Sequence, residues 1–142
     1  MKKIAFIILI IGFACSNPGN LAQLLTNNNW EIEKVVNLKS GKVSQIEVNH
    51  REIWEFKIDN TYYFEMKNEI QNQFSNGFWV LDGCELLIMN EFDSSKVTIE
   101  KITKNEMTWL MEGEDSIRLY LTAKNKEVSL PKFPDTSKSK HE

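Results

Sequence analysis

Two histidines and two cysteines are the residues of this 142-residue chain whose types could support nucleophilic or metal chemistry. His50 lies just before a predicted strand, and His141 lies near the C-terminal end. A nucleophilic enzyme needs a nucleophile, a base and a group that orients the base, and a metal site needs clustered His, Cys or carboxylate ligands. The sequence spacing provides neither set. We therefore expect a protein that is not an enzyme, with no catalytic residue, no metal and no cofactor.

Cys15 ends an apolar run near the start of the chain. Lys2 and Lys3 form a positive beginning, and residues 4–13 are apolar throughout. This run is shorter than the roughly 20 residues needed to cross a bilayer. A basic start, an apolar core and a small residue before the cleaved bond are typical of a secretory signal. The pattern predicts a signal peptide over residues 1–14 and a mature chain that begins at Cys15.

The apolar run ending in Ala14-Cys15 resembles a bacterial lipoprotein signal, which implies that Cys15 carries the lipid, with fatty acyl chains such as palmitate. Gly12-Phe13-Ala14 also fits the small-x-small pattern of ordinary cleavage at the same bond. In that second case an oxidising compartment could join Cys15 to Cys84. We favour lipid attachment at Cys15. By the same resemblance, Ser16 indicates the outer membrane, and the absence of an acidic cluster after Cys15 favours the periplasmic face.

The charge balance bears on the partners of the protein. Loss of Lys2 and Lys3 leaves 15 basic and 20 acidic residues, a net charge of −5. Residues 30–122 hold 10 basic and 17 acidic side chains, a net charge of −7. An acidic domain without a basic stripe argues against nucleic acid and against electrostatic adhesion to anionic lipid. We therefore expect the protein to reach the membrane through its lipid anchor alone.

The elements that would position these residues are mostly short strands. Leu21, Leu24 and Leu25 have helix spacing, which predicts a short helix over residues 21–26. From Trp30 onward apolar side chains recur at every second position, which indicates half-buried strands. The pattern predicts about eight strands, at residues 30–38, 53–58, 61–66, 78–81, 85–90, 96–102, 106–111 and 117–122.

The finer pattern makes several predictions that a structure can test. In the first strand, Val36 and Leu38 are expected to resume the face of Trp30 after an interruption at Lys34. Residues 67–73 are polar and predict a longer hairpin loop, and Asp82-Gly83 predicts a two-residue turn. Short strands joined mostly by tight turns indicate an all-β barrel or sandwich.

Several segments together resemble the lipocalin-like lipoproteins of Bacteroidota. Phe56-Lys-Ile-Asp-Asn-Thr-Tyr-Tyr-Phe64 is similar to that group's hairpin, and Gly77-Phe-Trp-Val-Leu81 is similar to its glycine-x-tryptophan strand. Residues 97–110 look like its paired strands, and Asn29-Trp30 follows a short helix as in that group. The resemblance implies an antiparallel up-and-down barrel of about eight strands with a short N-terminal helix at one end. Together with the predicted signal, the polar residues after Cys15 and the polar composition past Ala123, it gives the boundaries 1–14 signal peptide, 15–19 tether, 20–123 barrel and 124–142 flexible polar tail.

Aromatic side chains are the richest chemical resource of the sequence, with twelve between Trp30 and Tyr120. One interpretation is a cavity that takes a small apolar ligand. The other is a filled core, because aromatic stripes pack together well, and the barrel then serves as an interaction or accessory module for an envelope protein partner. The candidate cavity-lining residues are Trp54, Phe56, Phe64, Trp79 and Trp109.

A separate motif concerns modification of the surface. Asp115-Ser116-Ile117 matches an Asp-Ser/Thr-apolar pattern that resembles O-glycosylation sites of secreted proteins of Bacteroidota. It lies at a predicted turn, where a modifying enzyme could reach the hydroxyl group. Ser116 is therefore a candidate O-glycosylation site.

Overall fold

The computed structural model describes residues 18–47 and 49–125. The predicted signal peptide, Cys15, most of the predicted tail and His141 lie outside these residues. The described chain is all-β apart from one helix. Its elements are α1 Pro18–Asn27, β1 Asn29–Asn37, β2 Val43–Gln45, β3 Arg51–Phe56, β4 Thr61–Lys67, β5 Asn72–Asp82, β6 Glu85–Met89, β7 Ser94–Ile102, β8 Glu106–Met111 and β9 Ile117–Lys124.

Eight of the nine described strands form a closed antiparallel barrel. Each strand from β3 to β8 pairs with the next along the chain, and β1 pairs with both β3 and β9. The closure removes the unpaired edges that an open sheet would leave. The prediction of an eight-stranded antiparallel barrel with a short helix is therefore confirmed.

β2 is an additional strand that the sequence pattern did not predict. It pairs with the second half of β1, outside the barrel closure, through Val36 and Val43 among others. All three of its residues are exposed, so they show no alternation of buried and exposed side chains. A strand without a buried face carries no period-two signal.

A β-bulge in β1 shifts its inward face. The pairing of β1 with β9 changes register between Ile32 and Lys34, and after it Val35 packs against the core. The predicted return of Val36 and Leu38 to the face of Trp30 is therefore wrong, and Leu38 is exposed. An extra residue in one strand moves every later side chain to the opposite face.

The hairpin between β4 and β5 also differs from the prediction. β5 begins at Asn72, and a short turn over residues 68–71 replaces the expected loop over 67–73. The Asn68 side-chain oxygen closes this turn by accepting bonds from the N–H groups of Ile70 and Gln71. At the next hairpin Asp82 pairs with Glu85, so the turn residues are Gly83 and Cys84 rather than Asp82 and Gly83.

Helix α1 packs against one end of the barrel, which we call the capped end. Leu21 and Leu25 of α1 belong to the buried core, and the helix contacts β3, β5 and β7. The other end, the open end, holds the start of β3 and the end of β4, and the described chain places no helix there. Among the described helices none is long and apolar enough to cross a membrane.

Candidate functional site

Six aromatic rings form one cluster inside the barrel, which we call the ring cluster. It contains all five candidate residues from the sequence together with Tyr62. The ring centroids of Trp54 and Phe64 are 4.4 Å apart, and those of Trp54 and Trp109 are 5.5 Å apart at near-perpendicular planes. Because β3 and β8 are not neighbours in the sheet, this second contact crosses the barrel interior.

Burial within the ring cluster falls towards the open end. Phe56 and Trp79 are 0% and 4% exposed. Trp54 and Phe64 form a cross-strand pair one step nearer the open end than Phe56 and Tyr62, and both are only partly buried. The cluster is therefore closed on the helix side and accessible in part from the other side.

The four tryptophans differ in the partners of their indole N–H groups. Trp30 Nε1 donates to the carbonyl oxygen of Leu25 at 3.0 Å, and Trp79 Nε1 donates to that of Lys57 at 3.1 Å. The indole nitrogens of Trp54 and Trp109 are buried and have no acceptor among the described residues. A buried donor without a partner costs about 1–3 kcal/mol, so these two groups can gain from an acceptor.

The inner wall at the open end is sparsely charged. Glu52 faces inward opposite Met66, and its Oε1 lies 2.9 Å from His50 Nε2. Further in, Tyr62 and Ser75 share a hydrogen bond of 3.3 Å between their hydroxyl groups. By strand alternation, Glu52 is the single charged residue among the described inward strand positions.

His50 therefore lies at the barrel mouth, outside the ring cluster. Its side chain is 30% exposed and that of Glu52 is 24% exposed. The pair places a histidine next to a carboxylate at the mouth. The described residues contain no group of three or more His, Cys, Asp or Glu side chains that could hold a metal ion.

A groove of about 580 Å³ at the capped end was not anticipated from the sequence. It lies between α1, the turn after β3 and the end of β5, and Ile58 and Val80 line it. Alternation predicted that Ile58 shares the inward face of Trp54 and Phe56. Ile58 is instead 87% exposed, because β3 ends at Phe56 and the chain turns.

Charged side chains tie the outer surface of the barrel together. Arg51 donates two hydrogen bonds to Glu31, at 2.9 and 3.1 Å, and Lys124 lies 3.6 Å from the same carboxylate. The bonds from Arg51 hold the pKa of Glu31 below its usual value against the opposing effect of burial. Between β9 and β7, the hydrogen bonds that Arg118 donates to Glu100, at 2.6 and 2.9 Å, raise the pKa of Arg118.

The remaining candidate positions lie away from the ring cluster. Ser116 directly precedes β9, is partly buried, and accepts a bond from the N–H of Leu38 through its carbonyl oxygen. Cys84 lies in the β5–β6 turn and is disulfide-bonded. Cys15, the other cysteine of the chain, lies outside the described residues, so its acylation stays a prediction.

No protein-family model matches the chain, and no curated protein matches it.

Proposed function

We propose that the protein is a cell-envelope lipocalin-like protein whose barrel binds a small apolar ligand, and that Cys15 anchors it by lipid to the periplasmic face of the outer membrane. The ligand-binding part rests on one observation. The ring cluster is closed by α1 at the capped end, whereas Trp54 and Phe64 stay partly exposed towards the open end. An aromatic cluster that is partly exposed at one end suits a small apolar molecule, and an eight-stranded barrel is wide enough to hold one.

Titration of the purified full chain with N-phenyl-1-naphthylamine tests ligand binding. This neutral probe fluoresces more strongly in apolar surroundings, so we expect a saturable rise with about one site per chain. A linear, non-saturating response would contradict the proposal, because it would indicate only partition onto exposed surface.

A matched pair of variants locates the probe. Ser75 faces inward opposite Phe64, and Asn76 faces outward opposite Tyr63. Ser75→Phe places a ring at the entrance to the ring cluster and should weaken probe binding about tenfold or more. Asn76→Phe adds the same ring to the outer face and should leave the affinity within about twofold. Equal effects of the two variants would contradict binding inside the barrel.

The anchor is supported by the basic start, the apolar run and the final Ala14-Cys15. A thioether-linked lipid on Cys15 and a disulfide between Cys15 and Cys84 exclude each other, because both use the Cys15 sulfur. The proposed anchor therefore requires that Cys84, which is disulfide-bonded, pairs with a thiol of another molecule. Either one requires export from the cytoplasm, so the envelope location is common to both. The mass of the mature protein decides between them: acylation adds lipid mass that a Cys15→Ala variant lacks, whereas a disulfide changes the mass by about 2 Da on reduction.

A second function, a non-enzymatic interaction module with a filled barrel, is favoured by one patch on the outer face. Phe74, Phe78 and Val80 of β5 are 58%, 61% and 47% exposed, and Tyr63 stacks on Phe74 at 5.8 Å. Large exposed apolar groups in a row are typical of protein contact surfaces. In-cell crosslinking from position 78 that captures one specific envelope protein, lost in Phe74→Ser, would support this function. Capture of no specific protein would count against it.

Glycosylation of Ser116 is a further proposal, supported by the motif at residues 115–117 and its position just before β9. The intact mass of the exported protein should exceed the polypeptide mass, and Ser116→Ala should remove the excess. An unmodified mass in the wild type would contradict it.

A further inference from the structure

The two indole N–H groups without acceptors belong to the same ring cluster. Trp54 is on β3 and Trp109 on β8, and their rings meet across the barrel at 5.5 Å. Trp109 is 98% buried, with only 2% of its surface exposed. Both nitrogens are shielded from solvent, and neither has an acceptor among the residues that the structure describes. A buried polar group in a native protein ordinarily has a partner.

The other two tryptophans show that the fold can satisfy such groups. Trp30 and Trp79 are 0% and 4% exposed, and each donates to a carbonyl oxygen at 3.0–3.1 Å. Those acceptors come from the end of α1 and from the turn after β3, both at the capped end. The rings of Trp54 and Trp109 lie farther from that end, where neighbouring side chains are mostly rings and aliphatic groups. An acceptor for them must therefore come from elsewhere.

The charge of the interior restricts what that acceptor can be. The described inward positions contain no lysine or arginine, and Glu52 near the mouth is acidic. An ionised carboxylate buried without a cation is strongly disfavoured, and Glu52 would repel it during entry. A neutral oxygen, such as that of a ketone, an ester or a hydroxyl group, carries no such penalty.

We infer that the barrel takes a neutral apolar ligand that carries a hydrogen-bond acceptor, and that the indole N–H groups of Trp54 and Trp109 donate to this acceptor. The inference rests on the proposed ligand-binding function and specifies its ligand class. It excludes fatty-acid anions and plain hydrocarbons as the preferred ligands.

Three probes with one carbon skeleton test the inference by calorimetric titration of the full chain. Fluorenone has a neutral carbonyl acceptor, fluorene has none, and fluorene-9-carboxylate is an anion. We expect fluorenone to bind about five times more tightly than fluorene, the effect of one net hydrogen bond, and the carboxylate to bind most weakly. Equal affinities for fluorenone and fluorene would overturn the inference while leaving ligand binding intact. Failure of all three to bind would overturn the proposed function as well.

Tryptophan-to-phenylalanine variants assign the donors. Trp109→Phe and Trp54→Phe keep a ring but remove the N–H, and each should reduce the preference for fluorenone over fluorene towards one. Trp30→Phe, which removes an N–H already bonded to Leu25, should retain the preference. The ratio of two affinities within one variant is insensitive to a general loss of stability. A preference that survives in both Trp54→Phe and Trp109→Phe would overturn the assignment.

Discussion

Trp30 on β1 and Trp54 on β3 are cross-strand partners, yet the barrel buries their side chains in different ways. At the capped end, Trp30 is fully buried beneath α1, and its indole N–H bonds to the helix. Towards the open end, Trp54 is partly exposed and its N–H has no acceptor among the described residues. A site optimised only for stability would resemble the first arrangement. We take the arrangement at Trp30 to support the fold and the partly exposed side of Trp54 to be where the proposed ligand would enter.

The largest expected effect comes from truncating these two side chains. Trp30→Ala removes a fully buried ring and should lower the free energy of unfolding by about 4 kcal/mol. Trp54→Ala removes a partly exposed ring whose N–H is unpaired, and should cost about 2 kcal/mol. Urea unfolding at constant pH measures both. Equal losses, or a larger loss for Trp54→Ala, would remove the distinction between the two ends.

Gly77 lies where β5 passes from its open-end half to its capped-end half, and it faces inward opposite Tyr62. A Cβ at this position would lie 2.0 Å from the backbone oxygen of Met89. Gly77→Ala must therefore displace a strand and should cost about 3 kcal/mol. Gly113→Ala is the control, because its Cβ would meet nothing within 4 Å. Similar unfolding midpoints for both variants would show that β5 and β6 do not approach each other this closely at Gly77.

Asn60 tests the turn that contributes to the capped end. Its φ of 65° is left-handed, and its side-chain amide donates to the carbonyl oxygen of Trp79 at 3.3 Å. Asn60→Ala should cost about 1 kcal/mol through strain and loss of this bond. Asn60→Gly, which tolerates the same backbone, should recover part of that loss. A thermal unfolding series compares the two, and an alanine variant as stable as wild type would contradict this turn geometry.

The smallest effect concerns the contact between Glu31 and Arg51, which joins β1 to β3 on the outer face of the barrel. Since the folded-state pKa of Glu31 is lowered from 4.5, its stabilising contribution is complete above pH 4.5 and is lost as pH falls through the lowered value. Wild type should therefore exceed Glu31→Gln by about 0.5–1 kcal/mol at neutral pH, and the difference should vanish in acid.

Urea unfolding of both proteins across this pH range measures the effect. Glu106→Gln provides the control, because its partner Lys101 and Glu106 itself are 60% and 61% exposed. A difference between wild type and Glu31→Gln that stays constant with pH would contradict the role assigned to the ion pair.

Much of the barrel was predictable from alternation, because half-buried strands carry a period of two. All eight predicted strands exist, and the rings of Trp54, Phe56 and Phe64 lie together as their spacing suggested. The errors have local causes. The bulge after Ile32 reversed the face of the remaining β1 residues. The residues at the start of β5 are almost all exposed and carry no buried stripe, so their pattern predicts a loop.

The candidate site was predictable in membership but not in arrangement. Residue types and spacing predicted five of the six rings that lie together in the cluster. They could not show that α1 closes one end, because helix packing depends on contacts distant in sequence. Nor could they separate tryptophans with an acceptor from those without, since the acceptors of Trp30 and Trp79 are backbone carbonyl groups supplied by the turn and the helix.

The most direct measurement of the difference between the two ends is a ¹H–¹⁵N spectrum of the four indole N–H groups during titration with fluorenone. If the open end admits a ligand, the Trp54 and Trp109 resonances should shift downfield as they gain an acceptor, while those of Trp30 and Trp79 should stay nearly unchanged. Shifts confined to Trp30 and Trp79, or no shift at saturating fluorenone, would contradict a ligand site in the ring cluster.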